Sequence, residues 1–229
     1  MNLERIRSLF WAIGSSSVLA GRNSVQRRKS RARRRFETRV SSECLESRVL
    51  LFALGSRWSQ TATNADWMFQ GDAATVTWSI VADGTSVPAS GEISGESSDP
   101  SNLVASLNGY FGTVTADTNY TDEVWFPHFA STFERWSELS GITFVYVSYD
   151  DGISLAGPSG VLGVRADVRI GGHRIDGNSG VLAYNSYPNY GEMVLDTADM
   201  AYLSAGNAMS LRNVLAHESG HGLGLQHVI

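Results

Sequence analysis

The sequence has one cysteine, Cys44, among its 229 residues. A single cysteine cannot form an intrachain disulfide, so residues 58–229 contain neither a disulfide nor a thiolate ligand for a metal. Long apolar runs are also missing, because no stretch approaches the roughly 18 residues that a transmembrane helix needs. The protein must therefore be stabilised by its packed core and by any metal that it binds, and we predict no membrane span.

Lysine is absent from residues 58–229, and charge is divided unevenly along the chain. Residues 1–57 hold 13 of the 18 Lys and Arg residues against four Glu, whereas residues 58–229 hold five Arg against 19 acidic residues. A basic segment of this kind is typical of a nucleic-acid-binding arm or of a targeting segment. The acidic remainder argues against nucleic-acid binding by the folded part and favours an extracellular protein.

Residues 1–60 have the low complexity and the lack of periodicity that are typical of a disordered leader. Leu9–Ala20 follows two arginines and is similar to a weak signal-peptide core. Cys44–Ser56 (CLESRVLLFALGS) resembles the Leu-Glu-x-Arg-x-Leu-Leu element near the N-terminus of many large exported planctomycete proteins. We therefore predict a basic targeting leader at 1–60 and a protein secreted by a bacterium.

Hydrophobic periodicity predicts a mixed α/β body that begins near Ala73. The predicted strands are Ala74–Val81, Ile142–Val147, Val164–Ile170, Gly180–Tyr184 and Met193–Leu195. The predicted helices are Leu103–Tyr110, Pro127–Leu139 and a final helix that begins at Ser210 as its N-cap. Apolar and charged residues alternate along Val164–Ile170, which predicts that this strand is half-exposed.

The final helix carries His217, Glu218 and His221. Residues four apart lie on one helical face, so both imidazoles can bind one zinc ion at about 2.0–2.1 Å. Glu218 is rotated about the helix axis and can hold a zinc-bound water without being a ligand. Gly224 can end the helix in a left-handed turn that brings back His227 as the third ligand. Three protein ligands with an open fourth position are typical of a catalytic zinc site.

The eleven-residue motif from His217 to His227 is more specific than its first five residues alone. A bare His-Glu-x-x-His occurs by chance on surface helices, but His-Glu-x-x-His-x-x-Gly-x-x-His fixes five identities over eleven positions and uses three of the five histidines. This is the metzincin form of the motif, and HESGHGLGLQH resembles the matrixin branch of that group. Four upstream segments are similar to the same catalytic domain in order and spacing: Phe133–Phe144, Ala166–Gly172, Asp176–Asn185 and Gly191–Asp199.

The resemblance implies a zinc metalloendopeptidase that cleaves peptide bonds of extracellular proteins. The expected fold is a metzincin-like α/β (α+β) catalytic domain at 61–229, in which a twisted mixed sheet packs with a long helix and the active-site helix. It also implies that Glu218 accepts a proton from the attacking water, and that extended substrate pairs with the strand at Gly180–Tyr184. The oligomeric state is not predicted.

The matrixin resemblance also implies a calcium site. Calcium prefers six to eight oxygen ligands. The sequence offers carboxylates and backbone carbonyls for this role at Asp176, Gly177, Ser179, Val181, Asp196 and Asp199. Taken alone, the Asp-Gly segment is more typical of a plain turn with two solvated acids than of a calcium site.

The chain departs from the family at three places. Tyr184 and Val194 stand where histidine ligands of a second, structural zinc are expected, so we predict that this zinc is absent and that His173 is an ordinary loop residue. The segment around Cys44 does not match a cysteine switch. Two residues follow His227, so a methionine-containing turn beneath the zinc and the C-terminal subdomain are expected to be missing.

The alternative function is an inactive, truncated zinc-binding remnant of such a protease.

Overall fold

The computed structural model describes residues 57–114, 117–156 and 159–227. The predicted leader, with Cys44 and the export signals, lies outside the described residues except for its last four positions. Among the described residues, no helix is long and apolar enough to cross a membrane.

The chain forms a five-stranded sheet with three helices, which confirms the predicted mixed α/β class. The strands are β1 (Ala74–Ile80), β2 (Ile142–Tyr146), β3 (Val168–His173), β4 (Ala183–Asn185) and β5 (Met193–Asp196). The helices are α1 (Leu103–Phe111), α2 (Phe126–Leu139) and α3 (Met200–Gly222), with short 3-10 turns at Tyr120–Asp122 and Thr197–Asp199.

The strand order is β2-β1-β3-β5-β4, and every pair is parallel except β4 with β5. The antiparallel pair aligns Ala183 with Leu195 and Asn185 with Met193. Strand β4 thus forms one edge of the sheet, and within the described residues its outer side pairs with no strand. An edge of this kind has free backbone donors and acceptors for an extended chain.

The main core lies between the sheet and the two longer helices. The Trp78 ring of β1 stacks on Phe126 and Phe133 of α2, at centroid distances of 5.6 and 4.5 Å. Leu211 and Leu215, one turn apart on α3, are fully buried in the same cluster. Each such side chain contributes about 1.5–3 kcal/mol through burial, so α3 is held firmly against the sheet.

The prediction of a half-exposed strand at Val164–Ile170 is wrong. Strand β3 begins at Val168, and all six of its residues are buried between β1 and β5. Its charged residue Arg169 is buried because the guanidinium donates to both carboxylate oxygens of Asp150, each at 2.7 Å. The alternation of apolar and charged residues along the strand indicated solvent exposure, whereas the charge of Arg169 is neutralised by Asp150 inside the protein.

Three predicted boundaries also need correction. The strand predicted at 180–184 is β4 at Ala183–Asn185, because the preceding residues form a loop around the Asp176 carboxylate. Helix α3 begins at Met200, so Ser210 lies inside it and is not its N-cap. Residues 205–208 interrupt the helix, and Gly206, Asn207 and Ala208 adopt left-handed backbone conformations there. Trp58 and Met68 belong to the core, so the packed body begins before Ala73.

Candidate metal centre

Helix α3 presents two imidazoles on one face. The rings of His217 and His221 lie one turn apart, with centroids separated by 4.8 Å. The same helix buries Leu211 and Leu215 in the core, whereas His217 is exposed and His221 half-buried. The face that carries the histidines is therefore fixed by the apolar residues that α3 packs against the sheet.

A left-handed turn at Gly224 (φ +91°) ends the helix. The N–H of Leu225 donates to the Gly220 carbonyl at 3.0 Å, and the N–H of Gly224 donates to the His221 carbonyl at 2.8 Å. Such bonds satisfy the free carbonyls of a last helical turn. The turn brings the Nε2 of His227 within 3.0 Å of His217 Nε2 and 3.2 Å of His221 Nε2.

The three nitrogens fit a zinc ion. In a tetrahedral site with Zn–N bonds of about 2.0–2.1 Å, two ligand nitrogens are separated by about 3.3 Å, close to the two distances seen here. The second ring nitrogen of His221, Nδ1, lies 2.8 Å from the Leu225 carbonyl oxygen. Because a carbonyl can only accept, Nδ1 carries the proton and Nε2 keeps its lone pair for a metal. His217, His221 and His227 thus form a candidate metal-binding group.

The electrostatics around His217 favour its neutral form. Burial lowers the pKa of His217, and the neighbouring His221 and His227 lower it further. A neutral imidazole is the form that binds a metal.

Glu218 lies beside the first histidine but is not part of the three-histidine group. Its side chain is buried, with 7% exposure, and burial raises its pKa to about 7. No hydrogen bond joins its carboxylate to another described residue. The carboxylate is therefore available to a bound ligand, as expected for a group that transfers a proton.

Two indole groups fix the part of α3 that carries the histidines. Trp136 Nε1 donates to the Ala216 carbonyl at 3.2 Å, and Trp58 Nε1 donates to the Gly222 carbonyl at 2.9 Å. Sequence reasoning missed both roles. Trp58 stands in the stretch assigned to the leader, and its partner is 164 residues away. No local pattern could have indicated this contact.

Strand β4 lies directly beside the candidate metal centre. The ring of Tyr187, which follows β4, lies edge-on to His221 with centroids 6.2 Å apart. A Cβ at Gly222 would lie 2.6 Å from the Asn185 amide nitrogen, so a larger residue there would require the Asn185 side chain to move. The free edge of β4 therefore borders the space in front of the three histidines.

The residues predicted to bind calcium are gathered around the loop at 176–181. Asp196 Oδ2 accepts from the backbone N–H groups of Asp176 and Gly177, each at 3.2 Å. Asp199 Oδ1 accepts from Ser179 N at 2.9 Å, while its other oxygen is buried without a partner among the described residues. Asp176 accepts from Val181 N. The three carboxylates surround the loop but do not converge as closely as the histidine nitrogens do.

The prediction that His173 is an ordinary loop residue is wrong. It ends β3 and is fully buried, with its ring nitrogens 3.1 Å from the Asp99 carbonyl and 3.2 Å from Glu96 Oε1. The Tyr184 hydroxyl donates to the same Glu96 oxygen at 2.8 Å. Burial acts to raise the pKa of Glu96, but the hydrogen bonds from Ser90, Tyr184 and His173 outweigh it and lower that pKa. The segment at 90–99 thus contacts His173 and Tyr184, near the place where the family's structural zinc was predicted to be absent.

Comparison with known proteins is in accord with this geometry. The sequence profile of the matrixin family matches residues 111–229, just over half of the chain. The chain is 30% identical to the hatching enzyme of Paracentrotus lividus over 125 residues, which cover 51% of this chain and 19% of that protein. It is 33% identical to karilysin of Tannerella forsythia over 110 residues, which cover 42% of this chain and 21% of that protein.

The matched part thus spans about a fifth of the length of these two relatives. The profile match includes α2, all strands after β1 and the complete three-histidine group of α3. The chain belongs to the matrixin family of metalloproteases.

Proposed function

We propose that this protein is a zinc-dependent metalloendopeptidase that hydrolyses peptide bonds of extracellular proteins. The observation that carries the proposal is the convergence of three imidazole nitrogens beside the buried carboxylate of Glu218. Membership of the matrixin family supports it. Because the matched part covers only about a fifth of each relative, the activity of the chain is inferred from its site.

His217, His221 and His227 would hold the zinc, which in such a site polarises the scissile carbonyl and lowers the pKa of a coordinated water. Glu218 accepts a proton as the water attacks and delivers it to the departing amine. The Trp58 and Trp136 indoles hold the ligand-bearing turns of α3 in place. Substrate pairs in extended form with the free edge of β4, whose backbone groups supply the hydrogen bonds.

Removing the metal is expected to abolish peptide cleavage reversibly. The full-length protein would be stripped with a chelator, dialysed and assayed on an internally quenched peptide while zinc is added back. We expect activity to return in proportion to bound zinc and to saturate at one ion per chain, because the three histidines form one site. Cleavage that persists after the metal content reaches background would refute the proposal.

The same titration tests the alternative, an inactive zinc-binding remnant. Stoichiometric zinc uptake without cleavage of any peptide would favour the remnant over the enzyme.

We also propose a structural calcium ion bound by Asp176, Asp196 and Asp199 with the carbonyls of Gly177, Ser179 and Val181. The support is the buried Asp199 oxygen, which has no hydrogen-bond partner in the part of the chain that the structure describes, next to a loop whose N–H groups donate to the other two carboxylates. The oxygen-only ligand set suits calcium.

Calcium is therefore expected to raise the thermal unfolding midpoint. A ligand at one hundred times its dissociation constant adds about 2.7 kcal/mol to the free energy of unfolding. The shift should be largely lost in Asp199→Asn and kept in the control Asp66→Asn, whose side chain is exposed. Calorimetry with and without calcium measures it; equal shifts in both variants would rule out this site.

We further propose that the basic segment at 1–60 directs export and that 61–229 form the catalytic domain, with protein or peptide substrates as partners and no nucleic acid. The support is the contrast between the basic segment and the acidic remainder. Fusing 1–60 to a reporter in a bacterial host tests the first part, and a reporter that stays inside the cell would contradict it.

A further inference from the structure

A cavity of about 610 Å³ lies against β4 on the side away from the helix ligands. We call it the β4 pocket; β4 and Tyr187–Glu192 line it on one side, and the segment at 87–93 with Leu155 lines it on the other. Tyr187 connects it to the candidate metal centre, because the same residue lines the pocket and lies 6.2 Å from the His221 ring. A substrate chain that pairs with β4 would therefore run past the opening of the β4 pocket.

The walls of the β4 pocket are apolar and firmly held. Val87, Leu155 and Val194 line it, and each of them is at most 2% exposed and belongs to a second hydrophobic cluster of the protein. Tyr187 and Tyr190 line it as well and are 43% and 65% exposed, so these aromatic rings are open to contact. A pocket of about 300–1,000 Å³ with such walls is typical of a preformed ligand site.

The charged residues that line the β4 pocket are acidic. Glu92 and Glu192 are among the lining residues, and none of the described residues that line the pocket is Lys, Arg or His. Glu192 is half-buried and forms no ion pair with any described residue. Arg169, whose charge acts on Glu192, already pairs with Asp150 and donates to the carbonyls of Ile153 and Ser154.

The negative charge of the Glu192 carboxylate is not paired with a cation among the described residues. Burial raises the pKa of Glu192 to about 7, although a hydrogen bond with its own backbone N–H and the charge of Arg169 act in the opposite direction. A half-buried carboxylate that forms no ion pair with a described residue is stabilised when a cation approaches it, since the attraction is stronger away from bulk water. A pocket with apolar walls and a carboxylate suits a lysine or arginine side chain. Such a side chain can bury its aliphatic stem against the walls while its charged end pairs with the carboxylate.

We propose that the β4 pocket is a substrate subsite for a lysine or arginine side chain, whose stem lies against the tyrosines and whose cation pairs with Glu192. This inference rests on the proposed peptidase function and adds a substrate class to it. A chain paired with an edge strand directs alternate side chains to each face of the sheet. One residue of the substrate, a short distance from the scissile bond, therefore faces the pocket.

Internally quenched peptides test the proposal on the full-length, zinc-loaded protein. The peptides share one sequence and carry Lys, Gln or Glu at a single position, which is moved stepwise along the chain. At one position kcat/KM for the Lys peptide should exceed that for the Gln peptide by about five- to tenfold, as expected for a partly screened ion pair. In Glu192→Gln this ratio should fall towards one, and in Glu192→Lys the Glu peptide should be preferred.

The matched control is Glu134→Gln, an exposed glutamate on α2 that does not line the pocket; it should keep the wild-type Lys-to-Gln ratio. Cleavage without a basic preference at any position, or a preference that survives Glu192→Gln, would overturn the subsite while leaving the peptidase proposal intact.

If no peptide is cleaved, the proposed function fails and the subsite is decided by binding. Fluorescence anisotropy would compare labelled Lys and Gln peptides on wild-type protein and on Glu192→Gln. Tighter binding of the Lys peptide by wild type alone supports the pocket, and equal affinities overturn it.

Discussion

Replacement of Glu218 by alanine is expected to abolish peptide cleavage while leaving zinc in place. Glu218 lies outside the three-histidine group, so its removal deletes no metal ligand. It is also the buried carboxylate next to the first ligand, and the proposed mechanism makes it the acceptor of a proton from the attacking water. General acid–base catalysis contributes about 10²–10⁴-fold to rate, and kcat/KM on a quenched peptide should fall by that factor.

The experiment needs two accompanying variants. Glu218→Gln keeps the shape of the side chain but cannot accept the proton, so it should lose as much activity as alanine. Glu134→Gln changes an exposed glutamate on α2 and should retain full activity. Metal content is measured for each. Cleavage by Glu218→Ala within a few-fold of wild type would remove Glu218 from the mechanism, and loss of zinc would show that it acts through the metal site.

Local spacing was sufficient to predict the candidate metal centre. His217 and His221 are one helical turn apart, a relation that the sequence fixes once the helix is assigned. The glycine that lets the chain turn back to His227 stands in the same short segment, and the structure gives it the left-handed conformation expected. Residues this close in sequence are placed together by backbone geometry alone.

Contacts between distant segments could not be predicted in this way. Trp58 donates to a carbonyl 164 residues away, and Glu96 reaches His173 and Tyr184 from a loop that resembles no motif. Their partners are determined by tertiary packing. The same limit explains the error at β3, because the alternation of charged residues is identical whether Arg169 meets water or a buried carboxylate.

The packing around β3 supports one wall of the β4 pocket. Strand β3 pairs with β5, which in turn carries β4 at the free edge of the sheet. The Arg169 guanidinium of β3 holds the segment at 150–154 through Asp150 and two carbonyls, and Leu155 of the pocket wall follows that segment directly. The Arg169–Asp150 ion pair therefore holds the segment that leads to the pocket wall at Leu155.

Replacement of Arg169 by methionine is accordingly expected to cause a large loss of stability. The Arg169 and Asp150 side chains are only 2% and 11% exposed, so the change leaves a buried carboxylate unpaired. It also removes the donors to the carbonyls of Ile153 and Ser154. Removing one partner of a buried pair costs about 3–5 kcal/mol in the free energy of unfolding, which urea denaturation followed by tryptophan fluorescence would measure.

The matched control for this loss is Arg135→Met. Arg135 also pairs with a carboxylate, that of Glu138 at 2.6 Å, but the two side chains are 65% and 58% exposed. Exposed pairs contribute at most about 1 kcal/mol, so this variant should remain close to wild type. If Arg169→Met does not fold, Arg169→Lys, which keeps the charge but loses the two-point contact, should show an intermediate loss. Equal stabilities for Arg169→Met and Arg135→Met would mean that burial of the Arg169–Asp150 pair does not stabilise the fold.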